Sequence, residues 1–283
     1  MRVKIAVPSK GRLREPTLRL LASAGIEPLY SPDRSLIVPS TQENVSLVYV
    51  RPEDIPALVY SGAADVGVTG LDYVAEAGVD VDVCLRLGFG NSRLVLAVPE
   101  GSGITSPRML DGSRVATKFV NITRAYFERL GVRPQILRIS GSAEAMPWLG
   151  AAEAIVDTVS TGTTMSLHKL RPIDTVMESE AVLISRYCRG RELVEQVVEA
   201  VRGVVNARGT RMLMMNVPGD RLRDVLEVLP SMSGPAITRL EGREDMWEVI
   251  TAVPASQLTR IVYEAKKRGA RDIVVLSLER VIP

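Results

Sequence analysis

The feature that most limits the fold is a rhythm. Val3–Pro8, Val45–Val50 and Asp65–Thr69 are short apolar runs, and each is followed by a turn and a stretch with helical spacing. After the first run, Pro16 suits an opening helical turn, Leu20, Leu21 and Ala24 share a face, and Gly25 can end the helix. The second run leads into Glu53–Tyr60. The third leads through Gly70 into Leu71–Ala77. Apolar strands that alternate with helices argue for an α/β protein whose sheet is mostly parallel and covered on its faces.

The middle of the chain continues in this style. Arg93–Pro99, Arg114–Thr117, Gln135–Ile139 and Ala154–Val159 read as strands, and Ile173–Met177 and Val182–Ser185 as extended segments. Asn121 is predicted to N-cap a helix that ends near Leu130-Gly131. Ser142–Leu149, Thr163–Leu170 and Arg191–Asn206 are predicted helices. The last part runs strand Arg211–Val217, helix Asp220–Leu229, strands Ala236–Leu240 and Trp247–Val253, helix Ala255–Arg268 and strand Asp272–Leu278. That β-α-β-β-α-β order is the ferredoxin-like one. A length of 283 residues fits two or three domains.

Scarcity narrows the function. One histidine, His168, and two cysteines, Cys84 and Cys188, exclude a His-cluster or four-Cys zinc site within one chain. The two thiols are expected to be buried and reduced. A Ser-His-Asp triad would depend on His168, which follows Ser166-Leu167 on a predicted helix. A net charge of +2 and an aromatic content of 4% fit neither a basic nucleic-acid binder nor a base-stacking platform. The basic run Lys266-Lys267-Arg268 reads as a solvated helix end. No apolar run is long enough to span a membrane and the start lacks a signal-peptide core, so the expected location is the cytoplasm. Met212, Met214, Met215, Trp148 and Trp247 are expected to pack in cores.

The richest stretch for chemistry is Asp157-Thr158-Val159-Ser160-Thr161-Gly162-Thr163-Thr164. It leaves an apolar strand, sets a carboxylate near the strand's end, and delivers hydroxyls around a glycine at a predicted helix start. Loop N–H groups, a helix dipole and hydroxyl donors together suit a phosphate. The same stretch also fits a polar strand–helix turn with ordinary capping. The acid suits either a ribose diol or a magnesium ion on pyrophosphate. Glu144 lies upstream and could bracket a sugar with Asp157. Lys10, Gly11 and Arg12 follow the first strand, where cations on a glycine loop can clamp phosphates. Thr69 and Gly70 repeat that strand-end geometry. Gly88-Phe89-Gly90 fits a hinge, with Arg93 a candidate to face a cleft.

With these motifs in view, the chain resembles the ATP phosphoribosyltransferase family, long form. The resemblance rests on Glu144, Gly150, Ile155, Asp157 and Thr161-Gly162-Thr163-Thr164-Met165. Lys10-Gly11-Arg12-Leu13, Asp65–Gly70, Gly88-Phe89-Gly90 and the C-terminal β-α-β-β-α-β unit add to it. Thr158 stands where the family usually has an aliphatic residue, a change expected to alter strand packing only modestly. The resemblance implies condensation of ATP, through adenine N1, with phosphoribosyl pyrophosphate, with magnesium as cofactor and feedback inhibition by histidine. It implies a two-lobed core like a periplasmic binding protein: residues 1–92 with 180–207 as one lobe, 93–179 as the other, and 208–283 as a regulatory domain. Asp157 and Glu144 would be catalytic. Asp157 and Ser160 to Thr164 would bind phosphoribosyl pyrophosphate, and Lys10, Gly11, Arg12, Thr69, Gly70 and Arg93 would bind ATP. Histidine would meet Asn216, Ser233 and Asp272, in an assembly ranging from dimer to hexamer. A non-catalytic two-lobed ligand sensor shares the expected fold and is the alternative.

Overall fold

The structure, a computed structural model, describes residues 2–30, 35–159, 165, 167–230, 234–243 and 245–282. The chain forms two compact bodies, Met1–Ala22 with Ile26–Val198 and Ser23–Gly25 with Glu199–Pro283.

The first body begins with β1 (Val3–Pro8), α1 (Arg14–Ser23), β2 (Ile37–Pro39), β3 (Val45–Val50), α2 (Ile55–Tyr60), β4 (Val66–Gly70), α3 (Leu71–Ala77) and β5 (Asp82–Arg86). A second run follows: β6 (Ser92–Pro99), β7 (Arg114–Thr117), α4 (Val120–Leu130), β8 (Gln135–Arg138), β9 (Ala154–Val159) and β10 (Leu170–Ser179). The chain then returns as β11 (Ala181–Ser185). One sheet has the order β2-β3-β1-β4-β11-β5, the other β10-β6-β9-β7-β8.

The expected parallel core is present, with β1 parallel to β3 and β4, and β7 parallel to β8 and β9. β11 lies antiparallel between β4 and β5 and is buried along its whole length. Two strands, β2 and β5, were not evident from sequence. Each is short or half-exposed and lacks a clean period-2 pattern.

β6 shows why the second sheet is covered on both faces. Successive side chains of a strand point to opposite sides. Leu94, Leu96 and Val98 join Phe119, Tyr126 and Phe127 in one cluster, while Val95 and Ala97 join Ala116, Ile155 and Leu170 in another.

Several boundaries depart from expectation. Asn121 lies inside α4, and the expected cap is supplied by another helix. Glu76 of α3 accepts from the Asn121 and Ile122 amides at 3.0 and 3.1 Å, and its backbone oxygen accepts from Asn121 Nδ2 at 2.8 Å. The predicted helix Ser142–Leu149 is only a 3-10 turn at Ala143–Ala145. Leu170 begins a strand rather than ending a helix, and most of predicted Thr163–Leu170 lies outside the described residues.

α5 (Glu192–Arg208) leads into the C-terminal sheet. There β12 (Thr210–Pro218), α6 (Leu222–Leu226), β13 (Ala236–Arg239), β14 (Met246–Pro254), α7 (Leu258–Lys267) and β15 (Arg271–Ser277) give the expected β-α-β-β-α-β order. The strands stand as β13-β14-β12-β15. Leu213, Met215, Val217, Val249 and Val253 pack with Val225 of α6 and Ile261 and Ala265 of α7. Met212 and Met214 are half-buried and do not join this core, because period 2 turns them to the other face. The predicted helix Asp220–Leu229 divides into a 3-10 turn, Gly219–Arg221, and the short α6. Among the described residues no helix is long and apolar enough to cross a membrane.

The cysteines correct the sequence reading. Cys84 and Cys188 form a disulfide, with Cα atoms 5.5 Å apart. Cys84 lies on β5 and Cys188 lies three residues past β11, its antiparallel neighbour, so the sheet brings together residues separated by 104 positions. With β5 unrecognised, nothing in the sequence indicated the proximity. Closing so long a loop restricts the unfolded chain. Cys84→Ser is expected to lower unfolding free energy by about 2–4 kcal/mol in guanidinium titration. Reductant should produce a similar loss in the wild-type protein and none in the variant.

Candidate active site

The second sheet positions the acid. β9 runs parallel to β7, with Thr117 opposite Val156. The Thr117 hydroxyl donates to the Val156 oxygen at 2.7 Å and accepts from the Phe119 amide at 2.9 Å. These bonds fix the way the chain leaves β7, and Lys118 emerges close to Asp157. The Lys118 ammonium lies 4.9 Å from the Phe119 ring centre and 5.8 Å from that of Tyr73.

Burial pushes the Asp157 carboxyl above the usual carboxylate range. Its own neighbours oppose that shift. The Thr158 amide donates to Oδ1 at 2.7 Å, the Lys118 ammonium attracts the charge, and the Thr158 hydroxyl donates at 3.3 Å. Glu144 pushes the carboxyl further up. Lys118 and Glu144 thus both act on Asp157 through space, with opposite signs. Thr158 does more than alter strand packing, because its hydroxyl bonds the carboxylate it follows. Ser160, Thr161, Gly162, Thr163 and Thr164 lie outside the described residues.

In the first lobe, Lys10 is exposed on the turn after β1, and Gly11 has a φ of +81°. Arg12 is tied to the lobe junction, donating to Ser92 Oγ at 2.6 Å and to the Asn91 oxygen at 3.4 Å. The Thr69 side chain is fully buried, and its hydroxyl donates to the Pro52 oxygen at 2.7 Å. At Gly70 a Cβ would lie 2.1 Å from Asp72 Oδ1. Asp72 is itself buried, accepting from Ser179 Oγ at 2.9 Å while its amide donates to the same oxygen at 3.0 Å. The start of α3 is thereby joined to the end of β10.

A cavity of roughly 490 Å³ opens at the junction, lined by Gly88, Asn91, Arg93, Val159 and Glu178 among others. Arg93 pairs across the sheet with Val159 on one side and Glu178 on the other. The cavity thus reaches the residue from which the 160–164 segment departs. Gly90 has a φ of +69°, and a Cβ there would meet buried Leu13 at 2.4 Å.

The C-terminal candidates also meet. Asn216 Nδ2 donates to Asp272 Oδ2 at 3.0 Å, where the β12–β15 register is interrupted and Asp272 has a φ of +49°. Ser233 lies outside the described residues. Trp148 is 55% exposed, so it is not a core residue, and its Nε1 donates to the His168 oxygen at 2.9 Å.

Sequence reasoning missed Lys118 and Tyr73. A cation placed directly after one parallel strand, beside another that carries an acid, was the available signal for Lys118. Among the described residues, no three His, Cys, Asp or Glu side chains converge as a metal cage.

The chain is similar to known proteins along nearly its whole length. Residues 51–203 match the family model described as ATP phosphoribosyltransferase, and 207–280 match that of the HisG C-terminal domain. An ATP phosphoribosyltransferase of Ignicoccus hospitalis is 50% identical over 287 residues, covering 99% of this chain and 100% of the relative. One from Pyrobaculum aerophilum is 48% identical over 98% and 99% of the two chains. Among solved structures, the ATP phosphoribosyl transferase (HisG:HisZ) complex from Thermotoga maritima aligns with a TM-score of 0.60 and 29% identity, over 71% of this chain and 98% of that one. Tv2483, solved bound to L-arginine, aligns at a TM-score of 0.50 and 13% identity over 71% and 83% of the two chains, which shows the two-lobed fold alone. The match runs nearly end to end at half identity, and on that ground the chain belongs to the ATP phosphoribosyltransferase family.

Proposed function

We propose how this chain carries out its family's reaction, in which adenine N1 of ATP displaces pyrophosphate from the anomeric carbon of phosphoribosyl pyrophosphate, the first step of histidine biosynthesis. The observation that carries the reading is the half-buried Asp157 carboxyl near the end of a parallel strand, within electrostatic reach of Lys118 and Glu144. Asp157 and Glu144 hold the ribose hydroxyls and tolerate the positive charge that develops on the ring. Ser160 to Thr164 cradle the 5′-phosphate, a role supported by their hydroxyl and glycine chemistry. Lys10, Gly11, Arg12, Thr69, Gly70 and Arg93 receive ATP. Because the Thr69 hydroxyl is committed to Pro52, its part falls to the backbone.

Adenine N1 already carries a lone pair, so the displacement needs no strong general base. Positioning and electrostatics supply most of the acceleration. Magnesium would be held by the substrate phosphates that bring it into the site. When bound it neutralises charge on the departing pyrophosphate.

Residues 1–92 with 180–207 form the first lobe of this reading, 93–179 the second, and 208–283 a histidine-binding regulatory domain. Asp272, held by Asn216, offers a carboxylate to the amino group of histidine, and Ser233 adds a hydroxyl. The chain works in the cytoplasm as a homo-oligomer between dimer and hexamer. Pyrophosphate release that requires both ATP and phosphoribosyl pyrophosphate separates this reading from a ligand sensor. No release with both present, or release with one alone, overturns it.

Two further outcomes are expected. Asp157→Asn should cut kcat by about ten- to a hundredfold, as loss of a charged hydrogen bond does. The same variant should be more stable than wild type at neutral pH. A carboxyl whose pKa is raised by folding binds its proton more readily in the native state, so its ionisation destabilises above the raised pKa. That difference in melting temperature should vanish as pH falls below the ordinary aspartate value. Asp272→Asn should raise the histidine concentration for half inhibition by about tenfold and leave kcat without histidine unchanged. If wild-type enzyme ignores millimolar histidine, the regulatory role is wrong.

A further inference from the structure

Lys118 is a half-buried cation that makes no ion pair with any described residue. Its ammonium is held over two aromatic faces, Phe119 of its own strand exit and Tyr73 of α3, at 4.9 and 5.8 Å. Such contacts orient a cation without neutralising it. The Thr117 bonds to Val156 and Phe119 fix where the side chain starts, one residue past the β7–β9 pairing. The ammonium also acts on the Tyr73 hydroxyl as a hydrogen-bond partner and attracts the Asp157 charge, and its three N–H donors leave capacity for the oxygens of an anion. Asp157 acts on it at longer range and is reserved for the sugar.

We propose that Lys118 binds the pyrophosphate of phosphoribosyl pyrophosphate and stabilises it as it leaves. The proposal rests on the reading that Asp157 holds the ribose. With the 5′-phosphate assigned to the segment after β9, the anion remaining near Asp157 is the diphosphate on the anomeric carbon. In the step, the C1′–N1 bond forms and the C1′–O bond breaks, and its electron pair departs on pyrophosphate. Lys118 stays protonated throughout. The proton lost from the adenine 6-amino group goes to solvent. Tyr73 belongs to the first lobe and Lys118 to the second, so the aromatic contact orients the cation only when α3 and the β7 exit are together.

The test uses the full chain and three variants, Lys118→Ala, Lys118→Met and Lys118→Arg. Inorganic pyrophosphate is titrated calorimetrically with magnesium present, and KM is measured for each substrate. The alanine and methionine variants should bind pyrophosphate about ten- to a hundredfold more weakly and raise the KM for phosphoribosyl pyrophosphate similarly. The KM for ATP should stay within about twofold, and arginine should restore much of the loss. Unchanged pyrophosphate affinity overturns the proposal. So does a loss confined to ATP, or equal impairment by all three replacements. Asp157→Asn is run in parallel: if its kinetics are wild-type, the ribose assignment fails, while pyrophosphate binding still decides the role of Lys118 because that ligand has no ribose.

Discussion

The return of the chain as β11 holds the two-lobed body together. Five consecutive buried residues, Ala181–Ser185, fill the slot between β4 and β5 in the first sheet only after the second sheet has been built. Without them β4 and β5 would lose the partner between them, and the backbone groups along both would need water. This connection makes the chain cross between the lobes twice, once through Gly88–Asn91 and once at Ser179-Glu180. Both crossings border the cavity that Arg93 enters. The site and the stability of the first sheet therefore depend on the same few residues.

Around that frame, the candidate acid Asp157 is a compromise between burial and neutralisation. Asp157 is desolvated by the sheet that positions it, and Glu144 makes its charge costlier still. Thr158 and Lys118 offset part of that cost without removing it. A fully neutralised carboxylate would have little left to offer a sugar hydroxyl or a cationic ring.

Much of this was legible in the sequence. Apolar runs of strand length and helices with clear periodicity located the parallel cores, and the C-terminal strand–helix order emerged whole. Asp157, Glu144 and Arg12 are candidates on sequence because acids and cations beside strand ends and glycines are chemically conspicuous, and what they bind is a proposal. What stayed hidden depended on tertiary neighbours. β5 carries the mixed sequence Asp82–Arg86 and pairs only with a strand nearly a hundred residues later, so neither it nor the disulfide was visible. Asn121 looked like a cap because its type favours one, yet the carboxylate that caps α4 comes from Glu76. Lys118 has no local sequence signal, because its neighbours Tyr73 and Asp157 come from two other parts of the chain.

The Glu76 cap gives the two lobes a common boundary in an unusual sense. A helix start is normally satisfied by residues adjacent in sequence, and its fraying is then a local matter. Here the amides of Asn121 and Ile122 depend on a side chain from the other lobe. Any separation that carries α3 away from α4 strips the donors at the start of α4 of their acceptor and turns them over to water. The exchange of those two amide hydrogens with solvent is thus a clock for lobe opening, written into the backbone and readable without a ligand or a label.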